Sequence, residues 1–183
     1  DGALQWHQTL GGNLIVASEE CLLQTDDGYV IVGKTAAAPS DAFVAKLDAQ
    51  GNVTWQSAYG RNGNDAAYAV QPEDGGYVVA GSTQNDWQCQ NQRTVTSDDV
   101  LLFHVDANGA LDWQARYGGI GPVCCNLACN EEARSLELAS NGDYVVIGQT
   151  DVIYQTGGQN LETLLLKIGA ATHTVVTAKT YGT

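Results

Sequence analysis

Short hydrophobic segments that follow glycine-rich turns recur along the chain, roughly every 50 to 65 residues. The clearest copy, residues 74–83, reads Asp-Gly-Gly-Tyr-Val-Val-Ala-Gly-Ser-Thr, and related copies occupy residues 26–35 and 141–150. In each copy an acidic or Asn-Gly turn precedes a Tyr and a β-branched run, and a Gly follows. That composition is typical of a turn that leads into a β-strand. The pattern therefore predicts three repeats, each built around one interior strand.

The segments around each interior strand predict three further strands in the same order. In the second repeat these are residues 65–70, then 99–106, and then 110–119 after an Ala-Asn-Gly turn. The last of these strands carries a Trp, so we call it the Trp strand. The equivalent position is filled in four places by Trp6, Trp55, Trp113 and, in the third repeat, Thr177. Short strands with even spacing and Gly-rich turns indicate an all-β repeat fold.

We therefore predict a single all-β repeat domain over residues 1–183, with antiparallel four-stranded propeller-type blades. The approximate repeats are residues 2–50, 51–108 and 109–183. Residues 1–6 align with 108–113, so the chain begins in the turn before a Trp strand. This predicts three repeats plus an extra N-terminal Trp strand, as in a processed chain or a fragment of a larger propeller. A β-sandwich is the alternative, because four-stranded sheets with short turns also build sandwiches.

The repeat also has a recognisable consensus. It runs acidic-Gly-Tyr-Val-Val-x-Gly-x-Thr, then Asp-x-Phe/Leu-x-x-Lys-Leu-Asp-x-x-Gly-x-x-x-Trp-x-x-x-Tyr-Gly-Gly, as in residues 41–60 and 99–119. This consensus resembles the β-propeller repeats of bacterial and archaeal secreted and cell-surface proteins. The resemblance implies a propeller-type sheet with a role in adhesion, binding or assembly, and it supplies no catalytic residues. The third repeat departs from it, since Gly-Ala-Ala-Thr at 169–172 replaces the Asp-x-x-Gly turn and the Trp is missing.

Composition narrows the class of partner. The chain has 21 acidic and 8 basic residues, a net charge of −13, and 44% hydrophobic residues. It is therefore globular, and its charge repels nucleic acid and anionic membrane surfaces. No hydrophobic segment reaches the roughly 18 residues that a membrane span requires. Five cysteines in such a chain favour an oxidising compartment, so we expect an extracellular or cell-surface protein.

Four of the cysteines fall in loops that are predicted to leave the same end of one blade: Cys89, Cys124, Cys125 and Cys129. We expect disulfide bonds there, with Cys89 paired to one of the other three and the remaining two paired if geometry allows. Cys21 occupies a small-residue position of a first strand, so it is predicted to be a buried free thiol. The spacing Cys-Cys-x-x-x-Cys does not match a zinc site.

The same loops suggest a ligand-binding rim, because variable loops on a rigid scaffold commonly carry binding residues. Trp87, Tyr154 and Asn91 give this rim an aromatic and amide character that suits a glycan. At the other end, turn carboxylates such as Asp48 and Asp106 are explained by hydrogen bonds to their own turns. Binding of Ca²⁺ by these carboxylates is the alternative, and otherwise no cofactor or metal is predicted.

Residues that could support catalysis are few. His104 stands where Lys46 and Lys167 stand in the other repeats, which predicts an exposed strand position. Glu131 begins a first strand and is read as a solvated strand end. No nucleophile elbow, Gly-x-Gly-x-x-Gly motif or P-loop is present, so we predict that the protein is not an enzyme.

The number of blades suggests a function. Three blades fall below the four to eight of ordinary propellers, and an unclosed array leaves strand edges that can pair with another chain. We therefore expect a non-catalytic extracellular structural or assembly subunit that forms an oligomer or filament by strand-edge contacts. Its partners would be copies of itself or another extracellular protein. The alternative is a ligand-binding β-propeller module for glycan or peptide, or a fragment of a larger surface protein.

Overall fold

The computed structural model describes residues 6–7, 9–11, 14–15, 21–61, 63–88, 94–118, 130–153 and 159–182, without the side chains of 87–88, 95, 152–153 and 159–160. Over these residues the protein is all-β, with thirteen strands and no helix. None of the described segments is therefore a helix able to cross a membrane.

The strands are numbered in chain order. They are β1 (Leu14–Ile15), β2 (Leu22–Thr25), β3 (Gly28–Thr35), β4 (Ala42–Asp48), β5 (Val53–Tyr59), β6 (Asp65–Glu73), β7 (Gly76–Gln88), β8 (Thr94–Asp106), β9 (Leu111–Tyr117), β10 (Glu131–Leu138), β11 (Tyr144–Ile153), β12 (Gln159–Ile168) and β13 (Val175–Tyr181).

These strands form three antiparallel sheets. Sheet 2 has the order β6-β7-β8-β9 and sheet 3 the order β10-β11-β12-β13. Sheet 1 follows the same plan, β3-β4-β5, with β1 and β2 both pairing with β3 in the place of a single first strand. The prediction of an all-β chain of antiparallel four-stranded repeats is confirmed.

The repeats also share their strand register. The Tyr that opens each second strand pairs with an apolar residue near the end of the third: Tyr29 with Leu47, Tyr77 with Val105 and Tyr144 with Ile168. A register shift follows between the third and fourth strands of every sheet. The three sheets are thus copies of one unit, and the register shift falls at the same position in each.

Two predicted features differ in the structure. Trp6 and His7 lie outside any strand, and most of the remaining residues of the predicted N-terminal Trp strand are not among those described. The long loop predicted after β7 is shorter than expected, because β7 and β8 continue to pair as far as Gln88 and Thr94. Cross-strand pairing along this hairpin satisfies backbone groups that a loop would leave to water.

The core is built by stacking the sheets face to face, with sheet 2 in the middle. Alternate residues of a strand point to opposite faces. One set of sheet 2 residues, which includes Val79 and Phe103, packs with sheet 1. The other set, which includes Val78 and Leu102, packs with sheet 3. Both faces of sheet 2 are therefore buried, which explains why β8 reads as a nearly continuous apolar run.

Because Leu102 is fully buried between sheets 2 and 3, we expect Leu102→Ala to lower the free energy of unfolding by about 2–5 kcal/mol. Leu111, on the neighbouring strand, is 45% exposed, and Leu111→Ala should change the free energy of unfolding by less than about 0.5 kcal/mol. Urea unfolding monitored by Trp fluorescence measures both. Equal losses in the two variants would contradict the stacked-sheet core.

Candidate functional site: inter-sheet joints and the outward face of sheet 3

The fourth strands of sheets 1 and 2 each hold the next sheet through a Trp that lies on a hairpin turn. Trp55 on β5 donates from Nε1 to the carbonyl oxygen of Ala107, in the turn between β8 and β9, at 2.9 Å. The indole also covers Gly109, where a Cβ would come within 2.7 Å of its ring. Gly109 has φ +82°, a conformation that side chains disfavour. The turn requires glycine for both reasons.

A Tyr four residues after the Trp completes the contact. The hydroxyl of Tyr59 donates to the carbonyl oxygen of Gly109 at 2.7 Å, and that of Tyr117 donates to His173 O at 3.0 Å. Burial raises the pKa of Tyr117 to about 12, so it remains a donor at neutral pH. We call this Trp-and-Tyr contact with the following turn the inter-sheet joint.

The turn of sheet 3 lacks the Asp-x-x-Gly sequence, yet it forms the same joint. His173 adopts a positive φ of 50° there. Its ring stacks on Trp113 with a centroid distance of 4.0 Å. A histidine in the left-handed conformation, which His tolerates better than most residues, thus takes the place of the glycine beneath the indole.

Sheet 1 is held from the N-terminal side by half of a joint. Trp6 lies on the turn that contains Gly51, where a Cβ would come within 2.6 Å of the indole, and its ring lies 5.8 Å from that of Tyr29. The residue four positions later is Leu10, which has no hydroxyl. The Trp contact is therefore present at sheet 1, and the Tyr contribution from this segment is missing.

A second set of contacts, the asparagine clamps, joins the sheets at the end where the long hairpins emerge. Asn64 Oδ1 accepts from the backbone N–H of Ser40 in sheet 1, and Asn64 O accepts from Gln84 N in sheet 2. Asn130 repeats both bonds one sheet later, with Asp98 and Asp151. Each Asn therefore ties the first strand of its own sheet to the preceding sheet.

Two residues predicted to be exposed are buried instead. Glu131 is 1% exposed and accepts from Thr150 Oγ1, so it is not a solvated strand end. His104 is 6% exposed, with Nδ1 2.8 Å from Asp112 Oδ2. The sequence places both on strands but does not show that another sheet covers those faces. Both predictions of exposure were wrong for this reason.

His104 belongs to a polar cluster between sheets 2 and 3. Its Nε2 lies 3.8 Å from Glu73 Oε2, and Glu73 also accepts from the hydroxyl of Tyr144 at 2.7 Å. Burial, together with Glu73, raises the pKa of Tyr144 far above its usual value. The equivalent lysines pair with carboxylates of their own sheets, Lys46 with Asp27 at 2.7 Å and Lys167 with Asp143 at 3.0 Å.

Acidic residues gather around the asparagine clamps. Burial raises the pKa of Asp65 and of half-buried Asp98, and at Asp98 repulsion from Asp151 and Asp65 acts in the same direction. A cleft of about 250 Å³ opens nearby, lined in part by Tyr59, Arg61 and Arg116. A second cleft of about 460 Å³ lies at the base of the β7–β8 hairpin. The ligand rim predicted from sequence would adjoin this end of the sheets.

The residues of sheet 3 that face away from sheet 2 form what we call the outward face. They are identified by their register and by alternation with the core residues: Val145, Ile147, Leu165, Lys167, Thr177, Lys179 and Tyr181. The equivalent face of sheet 2 holds fully buried Val78 and Leu102, whereas Ile147 is 47% and Tyr181 55% exposed. Of the ten large hydrophobic residues that are exposed in the described part of the chain, five belong to sheet 3, so its apolar surface is only partly covered.

The cysteines and rim residues named from the sequence are mostly outside the described part of the chain. Cys89, Cys124, Cys125, Cys129, Asn91 and Tyr154 are not described, and only the backbone of Trp87 is, in β7. The predicted disulfides and glycan rim therefore remain predictions. Cys21 is 9% exposed in the core between sheets 1 and 2, and it is a free thiol in the described structure.

The turn carboxylates bind their own turns. Asp48 Oδ1 accepts from the backbone N–H groups of Gln50 and Asn52, and Asp106 Oδ1 accepts from those of Asn108 and Ala110. These bonds account for both carboxylates without a ligand. In the described ranges, His, Cys, Asp and Glu side chains do not cluster in threes as a metal site would require.

Comparisons with known proteins provide little further information. No protein family and no curated protein matches the chain. Among solved structures, the cryo-EM structure of Morganella morganii TcdA4 is similar over 94% of this chain, with a TM-score of 0.49 and 10% sequence identity. The chain spans 8% of the length of that protein. At that level the similarity assigns neither a family nor a function.

The inter-sheet joint predicts different effects for two equivalent tyrosines. Tyr117→Phe removes the donor to the His173 carbonyl and should lower the free energy of unfolding by about 1 kcal/mol. Tyr181→Phe, on the exposed face, should leave the stability of the monomer unchanged. Thermal unfolding at low protein concentration measures both, and a loss in the Tyr181 variant equal to that of Tyr117→Phe would contradict the assignment.

The raised pKa of Asp98 predicts a pH-dependent effect. A carboxyl group with a higher pKa in the folded state destabilises the fold when ionised, and this penalty disappears as the pH falls through the folded pKa. Asp98→Asn should therefore raise the unfolding temperature at pH 7, with a difference from wild type that vanishes near pH 3. Asp74→Asn, in an exposed turn, removes the same charge and is the control. A gain from Asp98→Asn that persists unchanged at acidic pH would refute this explanation.

Proposed function

We propose that the protein is a non-catalytic structural or assembly subunit, built of propeller-type blades and active outside the cell or at the cell surface. The observation that carries this proposal is the outward face of sheet 3, where Ile147 and Tyr181 are about half exposed. Equivalent positions of sheets 1 and 2 are covered by the next sheet. A half-exposed apolar face of the same construction is suited to bind another β-sheet.

The repeated joints support the propeller-type assignment. Each sheet is a four-stranded antiparallel unit that stacks face to face on the next, with the same Trp and Tyr contacts at successive interfaces. Propellers are built from such radially repeated sheets. The extracellular assignment is supported by the five cysteines, four of which fall in segments outside the described residues.

The proposed contact differs in one respect from the expectation drawn from sequence. Strand edges alone provide backbone hydrogen bonds, and the free edge of β13 offers these. The outward face adds the apolar side chains of Val145, Ile147 and Leu165, whose burial drives association. The strand edge and the sheet face together therefore form the proposed assembly surface.

The test is to measure self-association of the wild-type chain and of two matched variants by sedimentation velocity over a wide concentration range. Wild type should form species larger than the monomer. Ile147→Glu should weaken association by about tenfold or more, because it buries an unpaired carboxylate in the contact. Leu111→Glu alters an apolar residue of similar exposure on sheet 2 and should associate like wild type. A wild-type chain that stays monomeric throughout would refute the assembly role.

A further inference from the structure

We infer that the cleft between the ends of sheets 1 and 2, which we call the arginine cleft, binds a small hydroxy acid. The ligand's carboxylate lies on Arg61, and its hydroxyl lies on Asp65 and Thr83. The cleft has a volume of about 250 Å³, below the roughly 300–1,000 Å³ of most pockets for drug-sized ligands. Its occupant is therefore a small molecule or a single unit of a larger one. The site is separate from the outward face of sheet 3.

The strand register places the polar lining of the arginine cleft on one face of sheet 2. Arg116 pairs with Leu101 and Gln114 pairs with Phe103, and both apolar partners belong to the core between sheets 1 and 2. Directly paired residues of neighbouring strands point to the same face of a sheet. Arg116 and Gln114 therefore also face sheet 1, from which Tyr59 lines the cleft.

Positive charge is concentrated at this cleft. Arg61 and Arg116 are two of the four arginines in a chain of net charge −13, and both line it. Arg116 stands where sheets 1 and 3 have the small residues Ala58 and Thr180. The repeated sheet can therefore be built without an arginine at this position, so the repeat alone does not explain Arg116.

Arg61 is oriented by an amide rather than by a carboxylate. With the amide of Gln114 turned to satisfy both groups, its oxygen accepts from Arg61 Nε and Nη2. Within the described ranges, the guanidinium of Arg61 forms no ion pair with a carboxylate. An amide fixes the direction of a guanidinium without neutralising it, and a carboxylate is the anion whose geometry a guanidinium matches. Arg61 is therefore positioned to bind a ligand's carboxylate.

Arg116 is also held in place. It donates from Nη1 to Asn85 Oδ1, and its Nε lies 3.9 Å from Asp99 Oδ2. These contacts to β7 and β8 keep the second guanidinium beside the cleft, where its charge favours an anion. Side chains that are fixed before binding lose little conformational entropy when a ligand arrives.

The inner wall of the cleft provides two buried groups that suit a hydroxyl. Asp65 and Thr83 are each 2% exposed, and both line the cleft. Burial raises the pKa of Asp65, while the Thr83 hydroxyl lowers it. Thr83 Oγ1 nevertheless makes no hydrogen bond of ordinary geometry within the described residues. A ligand hydroxyl can donate to Asp65 and accept from Thr83, which would satisfy both groups.

The ligand must carry its two groups close together. Asp65 Oδ2 accepts from the backbone N–H of Arg61 at 2.8 Å, so the residues that bind the carboxylate and the hydroxyl are adjacent. A simple carboxylic acid would leave Thr83 unsatisfied and bring a second anion towards Asp65 without a donor between them. A neutral sugar would make no use of the charge on Arg61. A hydroxy acid meets both requirements.

The test is a titration of the ¹⁵N-labelled protein at neutral pH, followed by two-dimensional NMR. D-Glucuronate and D-gluconate are the probes, and they distinguish a sugar-ring acid from an open-chain acid. At least one should produce saturable shifts of the backbone amides of Gly60, Leu101 and Ala115, which line the cleft. D-Glucose lacks the carboxylate and hexanoate lacks the hydroxyls, so neither should do so. Binding of neither acid, or equal binding of glucose or hexanoate, would overturn the inference.

Matched variants test the role of Arg61. Arg61→Gln should lower the affinity for the bound acid by about tenfold or more, because it removes a charge-assisted hydrogen bond. Arg134→Gln removes the same charge from an arginine that pairs with Glu132 outside the cleft, and it should bind like wild type. Equal losses in the two variants would indicate a general effect of charge and would refute the site.

Thr83→Val is the second variant, since it removes the hydroxyl and keeps the shape of the side chain. It should weaken binding of the same acid by about fivefold, the equivalent of one net hydrogen bond. Circular dichroism checks that each variant folds. An affinity unchanged in the folded variants of both Arg61 and Thr83 would show that the acid binds elsewhere.

Discussion

The contact of a Trp and a Tyr from one sheet with a hairpin turn of the next determines the spacing of the whole array. Because the Tyr hydroxyl meets a backbone carbonyl at 2.7–3.0 Å, the sheets are held at the distance where their apolar faces interlock. The turn must admit the indole, which explains Gly109 in one joint and the unusual backbone of His173 in the other. Burial of both faces of sheet 2 depends on this arrangement.

Electrostatic interactions constrain one position on the third strand of each sheet. In each sheet, the third strand holds a cationic or titratable side chain at the same position. Each of these side chains has a carboxylate partner: Lys46 with Asp27, Lys167 with Asp143, and His104 with Asp112. Lys46 is almost fully buried, and a buried charge without a partner would be costly, which explains its pairing with Asp27. The acidic groups around the asparagine clamps are in the opposite situation. Burial and repulsion from neighbouring carboxylates disfavour their ionised form and raise the pKa values of Asp65 and Asp98.

The outward face of sheet 3 is more polar than the equivalent face of sheet 2. Terminal units of repeat proteins commonly carry a more polar outer face, which keeps the array soluble. Thr177 and Lys179 on sheet 3 fit that description, as they replace Trp113 and Ala115 of sheet 2. Ile147 and Tyr181 do not, because they leave apolar surface exposed. Sheet 3 therefore combines polar and apolar residues on one exposed face.

The sequence by itself determined the repeat, the number of strands in each unit and their antiparallel order, because turn residues and apolar alternation act locally. It also identified Asp48 and Asp106 as residues that cap their own turns.

The tertiary structure alone decided which strand faces are covered. His104 and Glu131 look like surface residues in a strand pattern, and only the stacking of a second sheet makes them buried. Sequence reasoning likewise recognised Trp55 and Tyr59 as a recurring pair, but their role became clear only when the turn they hold, some fifty residues away along the chain, was found beneath them. Contacts between sheets depend on side chains that are distant in sequence, and strand periodicity carries no information about that pairing.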